Sequence, residues 1–168
     1  MERLNTVFCG GFFDHFHAAH RAAMARVAKL ECRQVIILVA SDRRVGEKRK
    51  PFHELTQPQH VRLRNVKAEV AKIGFKAQVT VRLTHHSIDP EILTHRGPIA
   101  VILEFPAAAK ARAINRGRLA NGLKPARVIA WKRPPVPISS TEIRRRKLEA
   151  RKNAAVAQGP RRFRRRGK

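Results

Sequence analysis

Residues 7–20 read VFCGGFFDHFHAAH, and the chain is organised around them. Leu4, Val7, Phe8 and Cys9 form a short apolar run that predicts a buried strand, ended by Gly10-Gly11. Strong helix formers take over from Ala18 to Ala28. A strand, then glycines, then a helix start is a general recipe for holding phosphate. Free backbone N–H groups and the positive end of the helix dipole both face the anion. His17 and His20 are spaced to share one face of the first turn, directed at the space where a phosphate would sit. Two readings of the pair stand: histidines that merely cap the helix, and histidines that serve a nucleotide site.

Outward from that stretch the pattern repeats. Gln34 to Ser41 (QVIILVAS) is a continuous apolar run, as in a strand covered on both faces. Asp42 and a basic loop, Arg43 to Lys50, follow. Thr56 to Ile73 reads as a helix with Val61, Leu63, Val66, Val70 and Ile73 inward, stopped by Gly74. Ala77 to Leu83 alternates, so it is a strand with one face partly solvated. Ser87 to Thr94 reads as a short helix with Pro90 in its first turn. Pro98 to Phe105 is another buried strand, Ala107 to Leu119 a helix closed by Asn121-Gly122, and Ala126 to Trp131 the fifth strand. After Pro134, Pro135 and Pro137, Ser139 with Glu142 fits a capping box that opens the last helix. Strands alternating with helices imply an α/β fold, a five-stranded parallel sheet with helices on both faces, followed by a basic C-terminal helix and tail. Residues 1–152 form one domain and 153–168 a tail. Ligands of such folds bind at the carboxyl ends of the strands where the strand order reverses.

Charge is the second informative fact. The chain holds 37 Lys and Arg against 12 Asp and Glu, a net charge of +25. The excess is not confined to the tail, because residues 138–168 hold only 12 of the basic residues. A small-substrate enzyme needs a few cations in one pocket, not a basic exterior. The partner that fits such a surface is a polyanion, most often nucleic acid, and structured RNA is the natural form of it. No apolar run approaches the ~20 residues of a membrane span, and no amphipathic segment suits a membrane surface. Cys9 and Cys32 read as buried thiols rather than a disulfide framework, so a cytoplasmic protein is expected. His85 and His86 have no third ligand at metal spacing, and no metal site is assigned. His15, His53, His60 and His95 receive no role. Trp131 and the phenylalanines read as core, and without tyrosines or an RNP-like motif base stacking is not indicated.

Four segments, in order, make a more specific match: GGFFDHFHAAH, VASD with a lysine soon after, AINRGRLANGLKP, and PISSTEIR. The set resembles the archaeal-type phosphopantetheine adenylyltransferase family of the nucleotidyltransferase superfamily, over roughly residues 4–150. The resemblance implies a Rossmann-like nucleotidyltransferase fold. It implies transfer of adenylyl from ATP, accompanied by Mg²⁺, to 4'-phosphopantetheine with release of pyrophosphate, a step of coenzyme A biosynthesis. His17 and His20 would stabilise charge around the α-phosphate, and Gly10, Gly11 and Asp14 would shape the loop. Lys48 would reach the phosphates, with Arg49 and Lys50 as neighbouring alternatives. Ser139, Ser140 and Thr141 would hold the β- and γ-phosphates, with Arg144 nearby.

The departures fall at the site. Phe12 stands where the family has threonine, Ala19 where it has glycine, and only Glu104 remains of an acidic segment after the fourth strand. These changes, with the basic exterior, suggest a former active site whose surface serves another partner. Two functions follow. The first is an RNA-binding, ribosome-associated protein that needs no cofactor and no membrane. It would touch rRNA phosphates through Arg43, Arg44, Lys48, Arg49, Lys50, Arg145, Arg146, Lys147, Arg151, Lys152, Arg161, Arg162, Arg164, Arg165 and Arg166, with Arg144 on the same helix. The second is a working phosphopantetheine adenylyltransferase that binds its nucleotide in the inherited site.

Overall fold

The computed structural model describes residues 4–48, 50–132 and 139–157, with side chains through residue 154. Strand β1 (Leu4–Gly11) leads to α1 (Ala18–Val27), and β2 (Cys32–Ala40) to α2 (Asp42–Gly46). A 3-10 turn at His53–Leu55 precedes α3 (Gln59–Ile73). Then come β3 (Gln78–Thr84), α4 (Pro90–Thr94), β4 (Ile99–Glu104), α5 (Ala108–Ala120), β5 (Arg127–Trp131) and α6 (Ser140–Ala157). The strands form one parallel sheet in the order β3-β2-β1-β4-β5. The chain crosses from one side of β1 to the other between β3 and β4, which leaves a crevice at the carboxyl ends of the central strands.

The period-two alternation of a strand splits each apolar run between two layers. Val7, Cys9, Val35, Ile37 and Val39 face Met24 and Val27 of α1 and Val66 of α3. Phe8, Ile36, Leu38, Val101 and Leu103 face Ile92 of α4 and Ile114 of α5. The sequence expectation of a doubly wound sheet is therefore met, including its five strands. Cys9 sits within the first layer, and burial pushes its thiol up to about 12. Iodoacetamide at pH 8 should leave Cys9 unlabelled in the folded protein and label it in guanidinium, as read by intact mass. Labelling of the native protein would contradict this packing.

Three boundaries differ from the sequence expectation. The basic loop begins as helix α2, because Ser41 Oγ accepts the Arg44 N–H at 3.4 Å as an N-cap. Helix α3 starts at Gln59 rather than Thr56. Pro58 is its N-cap, and a residue preceding proline disfavours helical backbone. The short helix starts at Pro90, capped by Asp89, whose side chain accepts from Glu91 N. Helix α6 runs through Ala157 with no break at residue 152. No described helix is long and apolar enough to cross a membrane.

Candidate nucleotide cleft

The carboxyl ends of the strands open into a cleft of about 410 Å³. Its floor is Cys9, Gly10 and Gly11 at the end of β1, and its walls come from all four other strand ends. A methyl group on Gly11 would lie 3.2 Å from the Phe13 ring, so a side chain there would require the ring to give way by a few tenths of an ångström. Beyond the glycines the backbone turns sharply. Phe13 and His15 both adopt positive φ, +51° and +44°, which a non-glycine residue avoids unless its surroundings impose it.

Asp14 between them supplies the restraint. Its Oδ1 accepts the Gln57 N–H at 2.9 Å, and the His15 N–H donates to Gln57 Oε1 at 2.8 Å. Its Oδ2 accepts from Arg144 Nη1 at 3.2 Å, and its carbonyl accepts the Ser140 hydroxyl at 2.6 Å. The last two bonds bring the start of α6 onto the first loop from the other end of the chain. Ser139 caps α6 by accepting the Glu142 N–H at 3.2 Å. The Glu142 carboxylate, which the expected capping box would use, is engaged by Arg145 and Arg146. Those two arginines hold Glu142 down at about 2. Helix geometry leaves the N–H groups of Ser140 and Thr141 without an intrahelical acceptor, and both residues line the cleft.

Arg144 is 1 % exposed and lines the same cleft. It also bonds Thr56 Oγ1 at 2.8 Å and Thr141 Oγ1 at 3.2 Å. Its Nε–H has no acceptor among the described residues. Burial removes Arg144 from the helix face expected to meet RNA. It is the bolt between the two halves of the cleft.

The histidines divide. His20 lines the cleft, with Phe13 and Phe16 packed on it at centroid distances of 5.4 and 5.2 Å. His17 is buried, does not line the cleft, and stacks behind His20 at 4.0 Å. The two rings do lie side by side, but residue 17 is the N-cap, with extended backbone outside the helix, and only His20 reaches the cleft. The His17 N–H donates to His20 Nδ1 at 3.4 Å, so His17 orients the ring that faces the cleft.

Among the post-β2 cations, Arg44 and Lys50 line the cleft and Lys48 does not. Lys50 Nζ lies 4.5 Å from the centroid of the Phe12 ring, a cation–π contact. Phe12, which stands where the resembling family has threonine, thus carries an ammonium at the cleft. Arg49 lies outside the described residues. Ala19 is buried against the cleft, and Glu104 lies at its rim. Among the described residues no group of three His, Cys, Asp or Glu side chains converges to hold a metal ion.

A cytidylyltransferase-like family model matches residues 8–146, most of the chain and all of this cleft. The chain belongs to the cytidylyltransferase-like family. Among solved structures, an Archaeoglobus fulgidus protein of unknown function is 23 % identical, with a TM-score of 0.60 over 75 % of this chain and 88 % of that one. A lipopolysaccharide core biosynthesis protein from Thermoplasma volcanium is 15 % identical, with a TM-score of 0.59 over 78 % and 98 %. At those identities the likeness establishes the fold. No curated protein sequence matches the chain.

In this cytidylyltransferase-like chain several residues given no role by their sequence prove central. His15 is buried; its Nε2 bonds the Leu55 carbonyl at 3.1 Å and its Nδ1 meets Lys147 Nζ at 3.2 Å. His95 bonds Thr6 at 3.1 Å. Arg62 is fully buried, bonding the carbonyls of Phe12, Ala40 and Gln57 and the Asp42 carboxylate. Arg118 bonds the carbonyls of Lys124, Ile92 and His95, tying α5 to the end of α4. Nothing in a helical charge pattern separates an interior arginine from a surface one. Trp131 lines the cleft, with Arg26 over its ring at 5.6 Å.

The residues expected to meet RNA are not equivalent. Arg43 and Arg44 face Glu47 at 3.8 and 2.8 Å. Arg145 bridges Glu142 and Glu149, Arg146 reaches Glu142, and Lys147 is held by His15. Arg151 and Lys152 are exposed. Arg161, Arg162, Arg164, Arg165 and Arg166 lie outside the described residues.

Proposed function

We propose that the cleft binds a nucleoside triphosphate and transfers its nucleotidyl group to the phosphate monoester of an acceptor. The acceptor oxygen forms a bond to the α-phosphorus, the α–β bridging bond breaks, and pyrophosphate leaves. The observation that carries this reading is the junction at Asp14. Ser140 and Arg144 bind Asp14 from α6, so a helix N-terminus and a glycine loop share one cleft with His20, Arg44 and Lys50. The helix N-terminus, His20, Arg44 and Lys50 are donors or cations suited to phosphate oxygens, beside the carboxylates of Asp14, Asp89 and Glu104 in the same lining. No covalent nucleophile is needed, since positioning and charge stabilisation supply most of phosphoryl-transfer catalysis. Mg²⁺ would enter with the triphosphate.

The four sequence segments make ATP and 4'-phosphopantetheine the first pair to test. The reading expects pyrophosphate release that needs both. No release with this pair or with other triphosphates and phosphate monoesters would refute it.

A second reading, binding of structured RNA such as rRNA in a ribosomal particle, is favoured by the charge ledger. Asp14, Asp42, Glu69, Asp89, Glu91 and Glu142 are each already paired with arginine inside the protein. The 12 acidic residues cannot neutralise the 37 basic ones, so the +25 is left without internal compensation. On this reading RNA affinity falls about 10³-fold or more between 50 and 200 mM salt. A flat salt response in a filter-binding titration would remove it. The two readings are compatible in one molecule.

A further inference from the structure

The end of the sheet opposite the cleft carries a different balance of charge. In a parallel sheet each return helix runs against the strands, so the loops that enter β2, β3, β4 and β5 all lie at the amino end. Each of them brings an exposed cation: Lys29 and Arg33 at β2, Lys76 at β3, Arg96 at β4, Lys124 and Arg127 at β5. None of these six has an ion-pair partner among the described residues. Glu31 is the only described carboxylate on the same loops. The cations that the sequence offered to RNA stand elsewhere, and several are already engaged: Arg43 and Arg44 by Glu47, Arg145 and Arg146 by Glu142.

Helix dipoles do not account for the row. A helix C-terminus favours cations within its last turn. Helices α1, α3 and α5 already place Arg26, Lys72 and Arg118 there, so the loop cations are surplus. Buried side chains fix the loops that carry them. Arg118 gathers the His95 carbonyl at 3.1 Å and the Lys124 carbonyl at 2.9 Å, which brings two of these loops to one guanidinium. Asn115 Oδ1 accepts the Ala126 N–H at 2.8 Å, beside Arg127. Gly97, next to Arg96, has φ of +92°, and a methyl group there would meet Asn5 Nδ2 at 2.6 Å.

The strand order arranges the cations in sequence across the sheet: Lys76, then Lys29 and Arg33, then Arg96, then Lys124 and Arg127. Five strands make that row roughly 19 Å wide. Phe75 and His95, the aromatic rings on these loops, are turned inward, onto the core and onto Thr6. A splayed base would find no ring to stack on, whereas a row of cations fits the phosphates of a double helix.

We propose that this amino-end pole docks the phosphate backbone of double-helical RNA and leaves the cleft at the other end open. The proposal rests on the RNA reading of the exterior and gives that reading its principal face.

The test is an anisotropy titration of a fluorescent RNA duplex of about 20 base pairs with the full chain and two charge-matched variants. Arg96→Gln/Lys124→Gln removes two cations of the pole, and Arg151→Gln/Lys152→Gln removes two exposed cations of α6. The pole pair should weaken binding by about 10-fold or more and make the log–log salt slope shallower by about 2. The α6 pair should stay within about 3-fold of the parent. The exchange Arg96→Lys/Lys124→Arg should also stay within about 3-fold, because phosphate contacts ask for charge rather than for one side chain. Steep salt dependence in the parent with equal losses for the two pairs overturns the pole and leaves the RNA reading standing. Absent or salt-independent RNA binding by the parent removes the RNA reading and the pole with it. Tighter binding of the parent to phosphatidylserine vesicles than to the duplex, lost in the pole pair, would make the pole a membrane face and overturn the assignment to RNA.

Discussion

Replacing Arg62 with methionine should destabilise the protein by about 3–5 kcal/mol, the cost typical of breaking a buried, fully bonded charged group. At this chain length that corresponds to a melting temperature lower by roughly 10 °C. Arg62 is inaccessible to solvent, and its guanidinium serves three backbone carbonyls and one carboxylate. Two of those carbonyls, Phe12 and Ala40, lie where the chain leaves β1 and β2. Methionine would fill part of the volume and satisfy none of them, leaving acceptors stranded in a dry interior. Arg62→Lys should recover only part of the loss, because a single ammonium cannot span the same fork of acceptors. Urea unfolding, with its slope unchanged and its midpoint lowered, is the appropriate measurement. A melting temperature within about 2 °C of the parent would mean that Arg62 does not clamp the strand ends.

His20→Ala should lower pyrophosphate release by about 10²–10³-fold while ATP affinity changes by less than about 3-fold, the pattern expected when a group acts on charge that develops in the transition state. His20 is the imidazole that lines the cleft, and Phe13, Phe16 and His17 pack around it. His17→Ala should cost less, since His17 acts through His20. Equal losses for the two substitutions would argue that both rings touch the phosphate. No loss for His20→Ala would remove it from the chemistry.

Local chemistry explains which features were legible in the sequence. The strand runs at Val7 and Val35 are apolar on both faces because both layers of helix cover them, and only a central parallel strand needs that. The cap at Ser139 was legible because a hydroxyl three residues before Glu142 has one favourable partner, the N–H at N3. The pairing of Glu142 with Arg145 and Arg146 was not, since it depends on side chains one helical turn on. The interior roles of Arg62, Arg118 and Arg144 were hidden for a different reason. Each serves carbonyls or carboxylates distant in sequence, and no periodicity records them. That Lys50 rather than Lys48 lines the cleft also needed the fold, because the loop path after α2 decides which ammonium reaches it and finds the Phe12 ring.

Phe12 and Ala19 do not close the cleft. Phe12 carries Lys50, and Ala19 packs into the wall, leaving the space above Gly10 and Gly11 intact. The basic exterior and the cleft are thus separable features of one cytidylyltransferase-like domain.

The central claim is that this cleft still transfers a nucleotidyl group. Its most direct test is the release of pyrophosphate by the full chain incubated with ATP, Mg²⁺ and 4'-phosphopantetheine, with His20→Ala alongside. The account predicts release that requires both substrates and falls by about 10²-fold or more in the variant. Release that is equal in parent and variant, or absent from the parent with this pair and with other triphosphates and phosphate monoesters, would contradict it.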